Sequence, residues 1–284
     1  MAKIIDGKQT AADIRREIAE EVETIKAKAG RAPGLAVILV GDDPASQVYV
    51  RNKAKDCEET GIYSVVERLP AETTEEELIA LVKKLNGDEL IDGIIVQLPL
   101  PKHLNSEVII NNIAVDKDVD AFHPYNVGKI MIGDYNMLPC TPAGVMELLS
   151  RYGVEVSGKN CVVVGRSNIV GKPQAMLLLH KNGTVTVCHS RTKELAEVTK
   201  KADILVVAVG KAKMITGDMI KEGSVVIDVG MNRDADGKLC GDCDFDSCEK
   251  KASLITPVPG GVGPMTRVML LKNTLSAAKR KLNI

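Results

Sequence analysis

The sequence predicts an α/β protein of two domains, and three observations carry that prediction. Apolar runs that read as strands buried on both faces alternate with segments of helical periodicity, the pattern of a parallel sheet covered by helices. That alternation runs twice, once before and once after Pro139. The chain of 284 residues is long enough for two such domains.

The first series opens with a helix over Thr10 to Lys28, which sets Ala11, Ile14, Ile18, Val22 and Ile25 on one face and stops near Gly30. Leu35 to Val40 is a continuous apolar strand. A helix follows, with Asp43 as N-cap, Pro44 in its first turn and Gly61 just past its end. Ser64 to Leu69 is the next strand. Thr74 and Glu77 then form a capping box ahead of Leu78, Leu81, Val82 and Leu85, and Gly87 closes that helix. Ile94 to Leu98 is a third strand, stopped by Pro99 and Pro101. A short helix from about Asn105 to Ile113 leads into the polar loop Asp116 to Asp120.

The second series opens with a helix at Thr141-Pro142, turning Val145, Met146 and Leu149 inward. Strands follow at 161–164, 184–188, 204–207 and 225–229, with a helix from the loop 165–173 to about Asn182. The last element, Thr266 to Leu282, spaces Val268, Leu271, Leu275, Ala278 and Leu282 as an amphipathic helix.

Composition narrows the function classes. The 37 basic and 38 acidic residues balance, which argues against nucleic acid or an anionic membrane as partner. No apolar run reaches the roughly 18 residues of a membrane span, and Met1 to Asp6 is no signal peptide. A soluble, unexported chain is expected. Seven scattered cysteines suit reduced thiols in a cytoplasm. With no Trp, two Phe and five Tyr, the core must be aliphatic, so each aromatic invites a specific role.

Three stretches carry chemistry. On the helix after Asp43, Lys53 falls beside the apolar stripe, in one row with Ser46 and Tyr49. Either it snorkels its ammonium into water, or it is a catalytic lysine in a cleft, with Tyr49 as a stacking surface for a flat ligand. A partly desolvated lysine can exchange protons near neutral pH. Next, Gly165 and Gly171 bracket a loop between strand and helix, where a dinucleotide pyrophosphate can sit; an ordinary tight turn is the alternative. The following strand ends in Cys188-His189-Ser190-Arg191 without the acid that would bind the ribose of NAD. With Arg166, Ser167 and Arg191 close in sequence, that absence favours the 2′-phosphate of NADP. Third, Val258 to Pro264 is a glycine cluster stiffened by prolines, fit to approach a ligand closely or to serve as a linker. Cys240, Cys243 and Cys248 could offer three zinc ligands, but a structural site wants four and no histidine is near, so idle thiols are the preferred reading. His103 and His123 read as polar loop residues, and no metal is expected.

Taken together, Val40 to Ser46 with Tyr49 and Lys53, Val96 to Pro101, Lys117 to Asp120, Gly165 to Pro173 and Pro257 to Thr266 make the chain similar to a known family. It resembles the bifunctional methylenetetrahydrofolate dehydrogenase/methenyltetrahydrofolate cyclohydrolases, over essentially its whole length. The resemblance implies a cleft between a folate-binding domain, 1–138 plus 265–284, and a Rossmann-type NADP-binding domain, 139–264, with the last helix returning to the first domain. It also implies a homodimer in the cytoplasm. By the same resemblance, Lys53 is the catalytic lysine, Gln97 its hydrogen-bonding partner, Tyr49 the ring stacked on folate and Asp120 the carboxylate that grips the pterin. Val96 and Leu98 would touch substrate beside Gln97. Gly165, Arg166, Ser167, Ser190 and Met231 would line NADP, and Pro259, Gly260, Gly261, Val262 and Gly263 would wall the substrate. The three-cysteine segment departs from the family, where a plain turn of small apolar residues is usual. An NADP-dependent dehydrogenase of another small substrate, of shikimate type, is disfavoured by Tyr49, Lys53, Gln97 and Asp120. The intact pair Lys53-Gln97 disfavours a non-catalytic binding module. No part of the chain is left for the ligase domain that larger relatives carry.

Overall fold

The computed structural model describes residues 1–284. Strands span Lys3–Ile4 (β1), Gly34–Val40 (β2), Tyr63–Leu69 (β3), Gly93–Val96 (β4), Asn160–Val164 (β5), Thr184–Cys188 (β6), Ile204–Val207 (β7), Val225–Asp228 (β8), Asn232–Arg233 (β9), Leu239–Cys240 (β10) and Leu254–Ile255 (β11). Helices span Gly7–Ala29 (α1), Pro44–Thr60 (α2), Glu75–Gly87 (α3), Ser106–Asn112 (α4), Pro124–Ile132 (α5), Cys140–Arg151 (α6), Gly171–His180 (α7), Leu195–Thr199 (α8), Phe245–Glu249 (α9) and Val262–Leu282 (α10). They form two compact units, Met1–Ala12 with Pro139–Thr266, and Asp13–Leu138 with Arg267–Ile284.

The unit of Asp13–Leu138 and Arg267–Ile284 is built on a three-stranded parallel sheet in the order β3-β2-β4. One face buries Ala36, Ile38, Val40, Ile94 and Val96 against Leu78, Val82 and Leu85 of α3 and Ile109 of α4. The residues alternating with them on β2, Leu35, Val37 and Leu39, are buried as well, which is why the strand reads as an unbroken apolar run. Helix α2 forms as its punctuation dictates. The Asp43 carboxylate accepts the Ser46 amide at 2.8 Å, and Gly61 ends the helix in the left-handed region at φ 74°. In α3 both bonds of the Thr74–Glu77 capping box are present.

In the other unit, six parallel strands run β1-β11-β8-β7-β5-β6. The chain leaves β5 for β6 on one side, then returns to β7 on the other. The loop after β5 therefore stands at the point where the strand order reverses, the place open α/β sheets use to bind ligands. The first strand, Lys3–Ile4, belongs to this sheet through its pairing with β11, so the first twelve residues group with 139–266 and not with 13–138.

The sequence assigns none of β1, β9, β10, β11, α5, α8 and α9, and its apolar spacing places the start of α10 late. Helix α10 begins at Val262, four residues earlier than the apolar spacing indicates, so Val262, Gly263 and Pro264 lie in its first turn. Proline there forfeits no hydrogen bond, because first-turn amides have no partner within the helix. His123, expected as a polar loop residue, caps helix α5 by accepting the Tyr125 amide at 3.1 Å, and Gly133 closes the helix at φ 79°.

Candidate active site

Helix α2 and the end of β4 bring Lys53 and Gln97 together. The Lys53 ammonium donates to Gln97 Oε1 at 2.9 Å. The Gln97 amide nitrogen in turn donates to the Leu98 carbonyl at 2.7 Å, which fixes which end of the carboxamide faces the lysine. Gln97 is itself anchored, since its backbone N–H extends the ladder onto Ile38 O at 2.8 Å. Lys53 is half-buried, and Tyr49, one turn earlier on the same helix, is 39% exposed. A ring held on a helix and open to solvent is available to stack on a flat ligand. Val96 is buried as the last residue of β4, and Leu98 is half-buried and contributes its carbonyl. Cys57, one turn beyond Lys53, is buried, and burial pushes its thiol up to about 12, so it stays protonated.

Asp120 reaches this unit's surface through a loop that is itself buried. Lys117 turns inward and donates to Leu85 O at 3.0 Å and Asp88 O at 2.8 Å, satisfying carbonyls at the C-terminal end of α3. Asp118 is 1% exposed and accepts the His123 amide and the Asn126 side-chain amide, both at 2.8 Å. Burial raises its carboxyl above the ordinary value despite those donors. Asp118 also bridges to Ile94 of β4, and Gly93 has no side chain because a Cβ there would lie 2.7 Å from Val119. The loop is thereby pinned to the strand that leads into Gln97, and Asp120 follows it half-buried. Sequence reasoning named Asp120 but missed the anchoring roles of Lys117 and Asp118. It also missed buried Asp56, three residues after Lys53, which ion-pairs with Arg15 at 3.6 Å and Arg267 at 3.2 Å.

In the six-stranded unit, Gly165 directly follows β5 at φ 134°, and a Cβ there would sit 2.3 Å from Ala208 O. A Cβ on Gly171 would sit 2.3 Å from Gly165 O. Both glycines are thus demanded by a loop that folds back on itself, leaving a bare backbone cradle at the switch point. Ser167 Oγ accepts the Val170 and Gly171 amides at 3.1 and 3.3 Å, which turns the chain into α7. Arg166, Ser167, Ser190 and Arg191 are all exposed. A glycine cradle with exposed guanidinium and hydroxyl groups fits a dinucleotide bearing an extra phosphate. Met231 follows β8 and is 51% exposed. A Cβ on Gly263 would lie 3.4 Å from the Met231 methyl, so the methionine and the first turn of α10 are neighbours. Pro259 is exposed, and the turn Gly260-Gly261 packs on the start of α1, where Lys8 N donates to Gly260 O at 2.9 Å. A Cβ on Gly7 would lie 1.8 Å from Gly261 O.

The three clustered cysteines are buried. Cys243 and Cys248 belong to the apolar core of this unit, on either side of the start of α9. His103 Nε2 lies 2.9 Å from Thr73 O.

Two family models cover the chain. Residues 5–120 match the catalytic domain of tetrahydrofolate dehydrogenase/cyclohydrolase, and residues 139–282 match the NAD(P)-binding domain of the same enzyme. The chain belongs to this family. The bifunctional FolD protein of Moorella thermoacetica is 61% identical over 98% of this chain and 99% of its own length. A crystal structure of the bifunctional FolD methylenetetrahydrofolate dehydrogenase/cyclohydrolase from Campylobacter jejuni superposes with a TM-score of 0.97 at 50% identity, covering 99% of this chain and all of that one. The methylenetetrahydrofolate dehydrogenase-cyclohydrolase of Trypanosoma brucei, solved with NADP and an inhibitor, gives 0.95 at 43% identity, over 100% and 99% of the two chains. Within the tetrahydrofolate dehydrogenase/cyclohydrolase family, Lys53 and Gln97 fall in the stretch matched to the catalytic domain, and the Gly165–Gly171 cradle in that matched to the NAD(P)-binding domain.

Proposed function

We propose that this tetrahydrofolate dehydrogenase/cyclohydrolase oxidises 5,10-methylenetetrahydrofolate with NADP and hydrolyses the resulting methenyl cation to 10-formyltetrahydrofolate, with Lys53 as the acid/base of the second step. The observation that carries the assignment is the oriented pair Lys53–Gln97 at 2.9 Å beside an exposed Tyr49 ring.

NADP, when bound, supplies the hydride acceptor for the one-carbon bridge. Hydride transfer asks the protein for orientation more than for a base. Tyr49 stacks on the folate, Asp120 grips the pterin, and Val96 and Leu98 border the same edge. Gly165, Arg166, Ser167, Ser190 and Met231 hold the cofactor, while Pro259, Gly260, Gly261, Val262 and Gly263 help wall the substrate.

Hydration then needs protons moved. Water adds to the methenyl carbon and loses a proton, and the ring nitrogen must gain one as the carbon–nitrogen bond breaks. Lys53 shuttles that proton, held on target by Gln97 Oε1. The free, buried thiols support a cytoplasmic setting, and no helix is long and apolar enough to cross a membrane. A homodimer is the assembly we propose, on the family resemblance. The test is Lys53→Gln: methenyl hydrolysis should fall by about a hundredfold to ten-thousandfold, and full retention of it would remove Lys53 from the mechanism.

A further inference from the structure

The loops that end β5, β7 and β8 stand in a row at the carboxyl ends of adjacent strands. The first carries the glycine cradle, the last carries Met231, and the middle one, Ala208–Lys211, lies between them. Gly165 and Ala208 touch through their backbones, as the blocked Cβ at Gly165 shows. Asp242 joins the middle loop to the last. It is fully buried, and its carboxylate takes four N–H donors. Oδ2 accepts the amides of Val209 at 2.6 Å and Gly210 at 3.1 Å. Oδ1 accepts the amide of Lys211 at 2.8 Å and the side-chain amide of Asn232 at 2.9 Å.

The residues around Asp242 are shaped to this grip. A Cβ on Gly230 would lie 2.3 Å from the Asp242 carboxyl carbon. The Asp242 amide donates to Asp228 Oδ1 at 2.9 Å, and Asp228 also accepts the amides of Gly230 and Cys243. Met231 is therefore held from both sides, by Gly230 on Asp228 and by Asn232 on Asp242. A buried carboxylate is costly unless fully hydrogen-bonded. Core packing alone would be met by an apolar side chain, so this arrangement points to a demand for exact loop placement.

We infer that Asp242 is a positioning residue for hydride transfer: its carboxylate locks the loops after β7 and β8 in the arrangement the cofactor needs. The inference rests on the proposed placement of NADP on these loops. In an Asp242→Asn chain one carboxylate oxygen becomes an NH2 facing two N–H groups, so one side of the lock opens. Asn232→Ala removes a single one of the four bonds and is the milder variant.

The experiment measures four quantities for wild type and both variants. They are NADP affinity by titration calorimetry, dehydrogenase KM and kcat, and methenyl hydrolysis without cofactor. In both variants the NADP dissociation constant and KM should rise, by about tenfold or more in Asp242→Asn, the scale of losing one charge-assisted hydrogen bond. Cofactor-free hydrolysis should stay within about twofold of wild type, a split that general unfolding does not produce. Unchanged NADP affinity and KM in both variants would overturn the inference. So would a parallel loss of both activities in Asn232→Ala, which also decides the matter if Asp242→Asn fails to fold. A wild-type chain inactive in both assays would instead overturn the functional reading beneath it.

Discussion

At the scale of single residues, the Gln97 carboxamide has its nitrogen committed to Leu98 O, so it meets Lys53 only as an acceptor. The row Ser46-Tyr49-Lys53 was legible because helical spacing alone sets it. The partner Gln97 was not, since it lies 44 residues away and only the family resemblance named it. Asp228 and Asp242 were illegible for a related reason: most of their donors are backbone amides 14 to 33 residues away, which no side-chain pattern announces. Asp228 yields a pH prediction. Burial raises its carboxyl from 3.8 to about 6 in the folded chain. Between those values the folded state binds more protons than the unfolded one, so this contribution to stability is fully present below about pH 4. It declines as pH rises through the window and is gone above about 6. Denaturant unfolding of wild type and Asp228→Asn across pH 4–7 should show that slope in the wild type and its loss in the variant.

At the scale of elements, local chemistry made α2 and α3 readable, caps included, because every signal lies within a few residues of the helix end. For α2, Asp43→Ala removes the acceptor of the Ser46 amide, so it should lower the midpoint of unfolding in urea titration. Helix α5 was missed although Pro124 and Gly133 flank it, because its cap is a histidine, an unusual capping residue. The start of α10 was misplaced because two glycines and a proline look like loop while Val262 is already helical. The loop Lys117–Asp120 makes a second prediction. Lys117→Met leaves the Leu85 and Asp88 carbonyls without their donor and should cost about 1.5–3 kcal/mol. It should also raise the KM for the folate substrate, because Asp120 sits three residues along the same turn. A stability loss with unchanged KM would separate the loop's anchor from the site.

At the scale of the whole molecule, two α/β series were visible in the sequence because apolar runs and helical periods alternate twice. The pairing of β1 was not, since two residues carry no period and their partner β11 is at the far end of the chain. The switch point after β5 followed only from strand order, which a sequence does not print. The proposed NADP preference belongs to this scale too, for we assign it to Arg166, Ser167, Ser190 and Arg191, carried by the loops after two adjacent strands. The most direct measurement gives the purified protein 5,10-methylenetetrahydrofolate with either NADP or NAD and follows reduced cofactor and the methenyl species separately. Reduced NADP should accumulate, faster than reduced NAD and with little methenyl build-up. Failure to reduce either cofactor would contradict the assignment of both activities to this chain.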